Sequence, residues 1–170
     1  MKMKKIIKLK PFQETLNSGM CGPASLKIVL DYYDIEKSEK ELAKLCQVDK
    51  DLGTDDKSIK KAAEKLGFKV IIKNNSNLKD IEKWLDKKVP VIVDWFTRGR
   101  QDYSESDVSD GHYSVVAGID EKYIYLQDPE IGKIRKMDRN DFLKVWFDFK
   151  GKYIKPDELI IRQSIIILKK

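Results

Sequence analysis

The sequence predicts an α+β fold in which N-terminal helices pack on a mostly antiparallel sheet. Two observations carry this. Apolar residues recur at helical spacing through most of the chain up to about residue 88, and β-rich runs separated by turn signals dominate from residue 89 onward. Helices that precede strands, rather than alternate with them, mark α+β organisation in one unit. The length of 170 residues, with 41% hydrophobic and 36% charged, suits one globular domain over 1–170. Its helical part covers about 20–88 and its sheet part about 89–168. No repeat or low-complexity linker interrupts it.

The elements follow in order. Lys5–Leu9 reads as an edge strand, with Lys5, Ile7 and Leu9 on one face and Ile6 and Lys8 on the other. Cys21 to Tyr33 reads as a helix, because Leu26, Val29, Leu30 and Tyr33 recur at helical spacing and Pro23 falls in the first turn. Ser38 to Glu41 forms a capping box that opens a second helix through Leu45. A third helix covers about 56–66 and stops at Gly67. Lys69–Lys73 is a strand, and Asn77 caps a helix over about 78–87. Val89–Trp95, His112–Ile119, Tyr123–Gln127 and Lys133–Met137 read as strands. A short helix follows at about 140–147. Leu159–Leu168 closes the chain as one long apolar strand; if it neighbours Lys5–Leu9, the terminal lysines cluster at one sheet edge.

Charge and cysteine content limit the function classes. The net charge is +6, but Lys2, Lys4, Lys5, Lys8 and Lys10 supply five of the six surplus charges. The body is nearly neutral, so the sequence predicts no nucleic-acid partner. No run reaches the ~18 apolar residues of a membrane helix, and no signal-peptide h-region is present, so no membrane-spanning segment is expected. Two cysteines, Cys21 and Cys46, make no disulfide framework and suggest a cytoplasmic setting. One histidine and two distant cysteines suit no common zinc site, and no phosphate or dinucleotide loop occurs, so neither metal nor cofactor is expected. Arg98–Asp110 is a polar stretch of net charge −2 ending beside His112, and reads as a lid.

Four residues could carry chemistry. Cys21 opens a helix, where orphan N–H groups and the positive dipole end favour thiolate over thiol. Gly22 beside it removes a Cβ, which would let a substrate carbonyl approach. The alternative for Cys21 is a small buried residue, and Cys46, within an amphipathic helix, is read that way. His112 is the only histidine. Asp128 follows by sixteen residues across an apparent hairpin, and a three-residue loop near Asp120 would put both on one face, opposite or one diagonal step apart. A carboxylate there fixes the imidazole tautomer. Alternatively, Asp128-Pro129 is a turn opener whose carboxylate bonds its own backbone. Gln13, eight residues before Cys21, could donate to an oxyanion or be an ordinary surface residue.

The ordered set Gln13, Cys21-Gly22-Pro23-Ala24-Ser25, Gly111-His112-Tyr113 and Asp128-Pro129 resembles the bacteriocin-processing cysteine peptidase family, papain-like domains that cut leader peptides after a double glycine. The resemblance runs from about Lys8 to Asp148 and takes in Tyr32-Tyr33, Gly53-Thr54, Leu66-Gly67, Val89 to Trp95, and Phe142 to Trp146. It is strongest to the stand-alone branch. It implies the papain-like cysteine peptidase fold, Cys21 as nucleophile, His112 as general base and then acid, Asp128 as its orienting partner, and Gln13 in the oxyanion hole. The expected partner is a peptide or protein substrate. A thioester-forming acyltransferase and a non-catalytic peptide-binding module on the same fold are the alternative functions.

Overall fold

The helix that opens at Cys21 is buried all round. α1, Cys21–Tyr32, is enclosed at Gly22 to Leu26 and at Ile28 to Leu30, which marks it as a central rather than a surface helix. Its exception, Lys27, pairs with Asp31 one turn on. The computed structural model describes residues 5–97, 111–151 and 153–170. The Arg98–Asp110 stretch, read above as a lid, lies outside the described residues.

α2 (Glu39–Cys46) has the expected capping box at Ser38 and Glu41. α3 (Asp56–Lys65) is capped by Asp55 and α4 (Leu78–Asp86) by Asn77. α1 lies against α2 and α3 on one side and against β4 (Gly111–Ile119) on the other. Among the described residues, the main sheet has seven strands. Six run in the order β2 (Lys69–Lys73), β9 (Ser164–Leu168), β3 (Val91–Phe96), β4, β5 (Tyr123–Asp128), β6 (Lys133–Asp138). All pairings are antiparallel. β3 is buried on both faces. Helices thus precede a mostly antiparallel sheet, as the sequence predicts. No helix among the described residues is long and apolar enough to cross a membrane.

Four expectations need correction. The first strand, β1, spans only Lys5–Ile6, and it pairs with Gly118 and Ile119 of β4 rather than with the C-terminal strand. Those two β4 residues already meet β5 on their other edge, so β1 occupies the edge of β4 beyond the end of β3. Leu159–Leu168 is not one strand. Arg162 takes a left-handed backbone (φ 48) and splits it into β8 (Leu159–Ile161) and β9, which belong to different sheets. β8 pairs with β7 (Phe147–Phe149), a strand that follows α5 (Arg139–Val145) and has no counterpart in the sequence reading. The fourth correction concerns the β4–β5 hairpin.

That hairpin closes on a two-residue turn, because Asp120 N–H bonds the Tyr123 carbonyl at 2.9 Å and Ile119 faces Ile124. A three-residue loop is not used. Instead the register shifts by one at Ala117, between Val116 and Gly118. A two-residue turn alone would put His112 and Asp128 on opposite faces, and the bulge restores the parity. Gly118 is required here, because a Cβ on it would stand 2.8 Å from the Lys5 carbonyl oxygen.

Candidate active site

The segment before α1 is held from two sides. Thr15 donates through both its N–H and its hydroxyl to the Glu39 carboxylate of α2, at 3.0 and 2.6 Å. Thr54 packs on Gly22 so closely that a Cβ there would lie 2.8 Å from Thr54 Cβ. The missing side chain of Gly22 therefore makes room for Thr54. No side chain caps α1, and the first N–H groups of a helix have no partner within it. Cys21 stands there as a free, half-buried cysteine. A cavity of about 520 Å³ opens between this segment and α2, lined by Thr15, Met20, Glu39, Lys40, Ala43 and Val48 among others.

β4 brings His112 to Cys21. The Cys21 side chain lies close enough to act on the imidazole, and ring Nε2 lies 2.6 Å from Asp128 Oδ1. The register that pairs Val115 with Gln127 sets Ser114 against Asp128 one step on, so His112 is Asp128's diagonal neighbour. His112 is 6% exposed and Asp128 0%. Burial alone disfavours charge on the imidazole, but Asp128 and Cys21 outweigh it and hold the His112 pKa well above its ordinary value. Burial likewise opposes the Asp128 charge, yet His112 and Arg135 hold that carboxyl below the usual range. The two sequence readings of Asp128 prove compatible, because Oδ1 also accepts the Glu130 N–H at 3.0 Å.

Gln13 reaches the rim of this group. It is exposed, and its amide nitrogen donates to the Glu130 carbonyl at 3.2 Å. Its neighbour Glu14 lies closer to the electrostatics. Burial raises the Glu14 carboxyl to about 7, His112 pulls it down, and Glu130, Asp128 and Glu39 push it up. Cys46 is fully buried, as expected, and burial pushes its thiol up to about 12.

Sequence reasoning missed several neighbours. Arg135 donates from Nε to Asp128 Oδ2 at 2.7 Å. Trp95 stands edge-on to His112 with ring centres 5.6 Å apart and donates to the Ser114 hydroxyl at 3.0 Å. Across the sheet lies a carboxyl pair. Asp94, 1% exposed, is raised well above its ordinary pKa, first by burial and then by Asp148. The alternation rule applied to β3, β5 and β6 would have found Trp95 and Arg135 once the pairings were known. His112, Asp128 and Glu130 also bring ligand atoms within 4.8 Å of one another. The direct 2.6 Å contact between His112 and Asp128 leaves no room for an ion bound by both at about 2.0–2.2 Å. These atoms form a hydrogen-bonded dyad.

Residues 10–150 match the Peptidase C39 family. The chain belongs to this family. Among curated proteins, it is 32% identical over 126 residues to the lactococcin-G-processing and transport ATP-binding protein LagD of Lactococcus lactis subsp. lactis. That alignment covers 74% of this chain and 16% of LagD, so the chain spans about a sixth of that relative. The peptidase domain of Streptococcus ComA, a bifunctional ABC transporter involved in quorum sensing, superposes with a TM-score of 0.69 at 25% identity, covering 96% of this chain and 98% of that one. A double-glycine-motif protease from an AMS/PCAT transporter, solved with its leader peptide, gives 0.67 at 23% identity over 97% and 94%. A C39-like peptidase from Bacillus anthracis gives 0.68 at 18% over 99% of both chains. This C39 member has the papain-like cysteine peptidase fold and is a cysteine peptidase by family.

Proposed function

We propose that this C39 peptidase hydrolyses a leader-type peptide after a glycine pair through Cys21, His112 and Asp128. The observation that carries the reading is His112, set between the Cys21 side chain and the Asp128 carboxylate at the open end of α1. The Cys21 sulfur, having passed its proton to His112, attacks the scissile carbonyl carbon, and the carbonyl π pair moves to oxygen. That oxyanion meets the Cys21 N–H and, from the rim, a Gln13 amide N–H. The raised pKa of His112 favours the protonated ring, which gives its proton to the leaving amine as the oxyanion pair re-forms the carbonyl and the C–N bond breaks. A thioester remains. Water then attacks it, His112 takes the water's proton, and the acid leaves as the C–S bond breaks.

Similarity to leader-cutting transporter domains supports a glycine-pair site. Two thiols without a disulfide, one of them the nucleophile, suit a reducing cytoplasm. The test is mass spectrometry on a synthetic peptide of about 25 residues carrying an internal Gly-Gly. One cut after the second glycine, abolished by Cys21→Ala, supports the reading. A wild-type enzyme that cuts Gly-Gly and Val-Val peptides equally, or neither, overturns the specificity. A product mass that shifts with added amine, with no free acid formed, replaces hydrolysis by acyl transfer.

A further inference from the structure

Asp128 is held at both oxygens. Oδ1 faces His112 Nε2 and the Glu130 N–H, at 2.6 and 3.0 Å, and Oδ2 takes Arg135 Nε at 2.7 Å. Arg135 comes from β6, opposite Leu126 and therefore diagonal to Asp128 on the same face. Its side chain is 10% exposed. The guanidinium lies 5.8 Å from the centre of the Trp95 ring. Trp95 in turn stands against His112 and is fixed by the Ser114 hydroxyl. The four side chains close a ring: His112 to Asp128, Asp128 to Arg135, Arg135 to Trp95, Trp95 back to His112. They come from four adjacent strands.

We propose that Arg135 is a positioning residue of the peptidase reaction: it pins one oxygen of Asp128, with Trp95 as its platform, so that the other oxygen holds His112 in line with Cys21. A carboxylate with a single donor can swing about its last torsion, which turns the imidazole with it. Two donors on opposed oxygens remove that freedom. The contact is made by Nε, within the planar guanidinium that faces the indole. Lysine carries the charge but has neither the Nε donor nor the plane. Among the described residues, the other titratable groups around Asp128 are His112 from β4, Glu14 from the segment before α1, and Glu130 from the turn after β5. Arg135 brings its cation to the second carboxylate oxygen.

This inference rests on the reading of Cys21, His112 and Asp128 given above, so its test includes a readout that needs no substrate. Arg135→Gln, Arg135→Lys, Asp128→Asn and the double variant Arg135→Gln/Asp128→Asn are compared. On the Gly-Gly peptide, Arg135→Gln is expected to lower kcat about 10- to 100-fold with KM changed less than about twofold, the usual cost of losing a partner that orients a functional side chain. Arg135→Lys falls between. In the Asp128→Asn background the same change costs less than about twofold, because Arg135 acts through Asp128. Iodoacetamide alkylation of Cys21 followed against pH is the second readout. Its acid limb moves to higher pH in Arg135→Gln, since Asp128 then neutralises earlier. An unchanged kcat and limb, a loss confined to KM, or an equal loss in the Asp128→Asn background overturns the proposal. If wild-type protein cuts no peptide, the functional reading fails, and the alkylation limb alone decides whether Arg135 positions the dyad. If Arg135→Gln does not fold, Arg135→Lys carries the same comparisons.

Discussion

The Asp128 carboxylate takes the Nε2 edge of His112 at 2.6 Å. A carboxylate only accepts, so the ring proton it fixes is the one on Nε2, and the other ring nitrogen is left to exchange a proton with Cys21. Asn in place of Asp128 can present an N–H to the ring instead and stabilise the wrong tautomer. Asp128→Asn is therefore expected to lower kcat by about 100-fold or more while the fold persists, checked by single-turnover kinetics beside circular dichroism.

The Asp128 shift also predicts an acid limit on stability. Its carboxyl is held below the usual range, so the folded state binds its proton less readily than the unfolded chain. The stabilisation is present above the unfolded pKa of about 3.9 and is lost as pH falls toward the folded value. Urea midpoints measured from pH 6 to pH 3 should fall for wild type and fall less for Asp128→Asn.

Glu14 acts with the opposite sign. Its folded pKa of about 7 exceeds the ordinary carboxyl value of 4.5, so the folded state holds the proton longer. Stability contributed by the neutral form declines as pH rises from about 4.5 to 7 and is flat above. Glu14→Gln should remove that decline and leave the variant more stable at pH 8, by on the order of 1–3 kcal/mol. Equal urea midpoints for both proteins at pH 5 and pH 8 would refute this.

The same logic applies to the buried pair across the sheet. Asp94 is raised well above its ordinary pKa by burial and by Asp148, so the fold favours its neutral form. Asp94→Asn keeps the shape and adds a donor toward Asp148. It should leave the thermal midpoint at pH 7.5 unchanged or higher, whereas Asp94→Leu should lower it by removing the polar contact between Asp94 and Asp148.

Thiol reactivity should be one-sided. Cys21 is half-buried beside an imidazole, and Cys46 is sealed in the core with its thiol pushed up to about 12. Native protein should take up one alkyl group, at Cys21 by peptide mapping, and a second only on unfolding.

Local signals carried most of the fold. The Ser38–Glu41 box, the Asn77 cap and the apolar spacing of α1 each act within one turn, so the sequence shows them directly. The failures share a cause, which is that pairing is not local. Nothing in Leu159–Leu168 announces that Arg162 takes a left-handed backbone, and nothing in Lys5–Leu9 says which strand will accept it. At the site, His112 and Asp128 were legible because they lie on neighbouring strands sixteen residues apart. Trp95 and Arg135 were not, since their meeting depends on the order of four strands. The hairpin shows a correct inference reached by a wrong route: the right parity came from a bulge rather than from the loop.

That hairpin separates chain length from chemistry. Residues paired across two strands share a face, so Asp128 faces His112 because Val115 is paired with Gln127. The extra residue at Ala117 is taken up by the bulge without disturbing that pairing. A length change confined to the bulge or the turn should therefore leave the two side chains aligned, whereas a one-residue slip of β5 along β4 would carry the carboxylate to the other side of the sheet and keep the strands but lose the reaction.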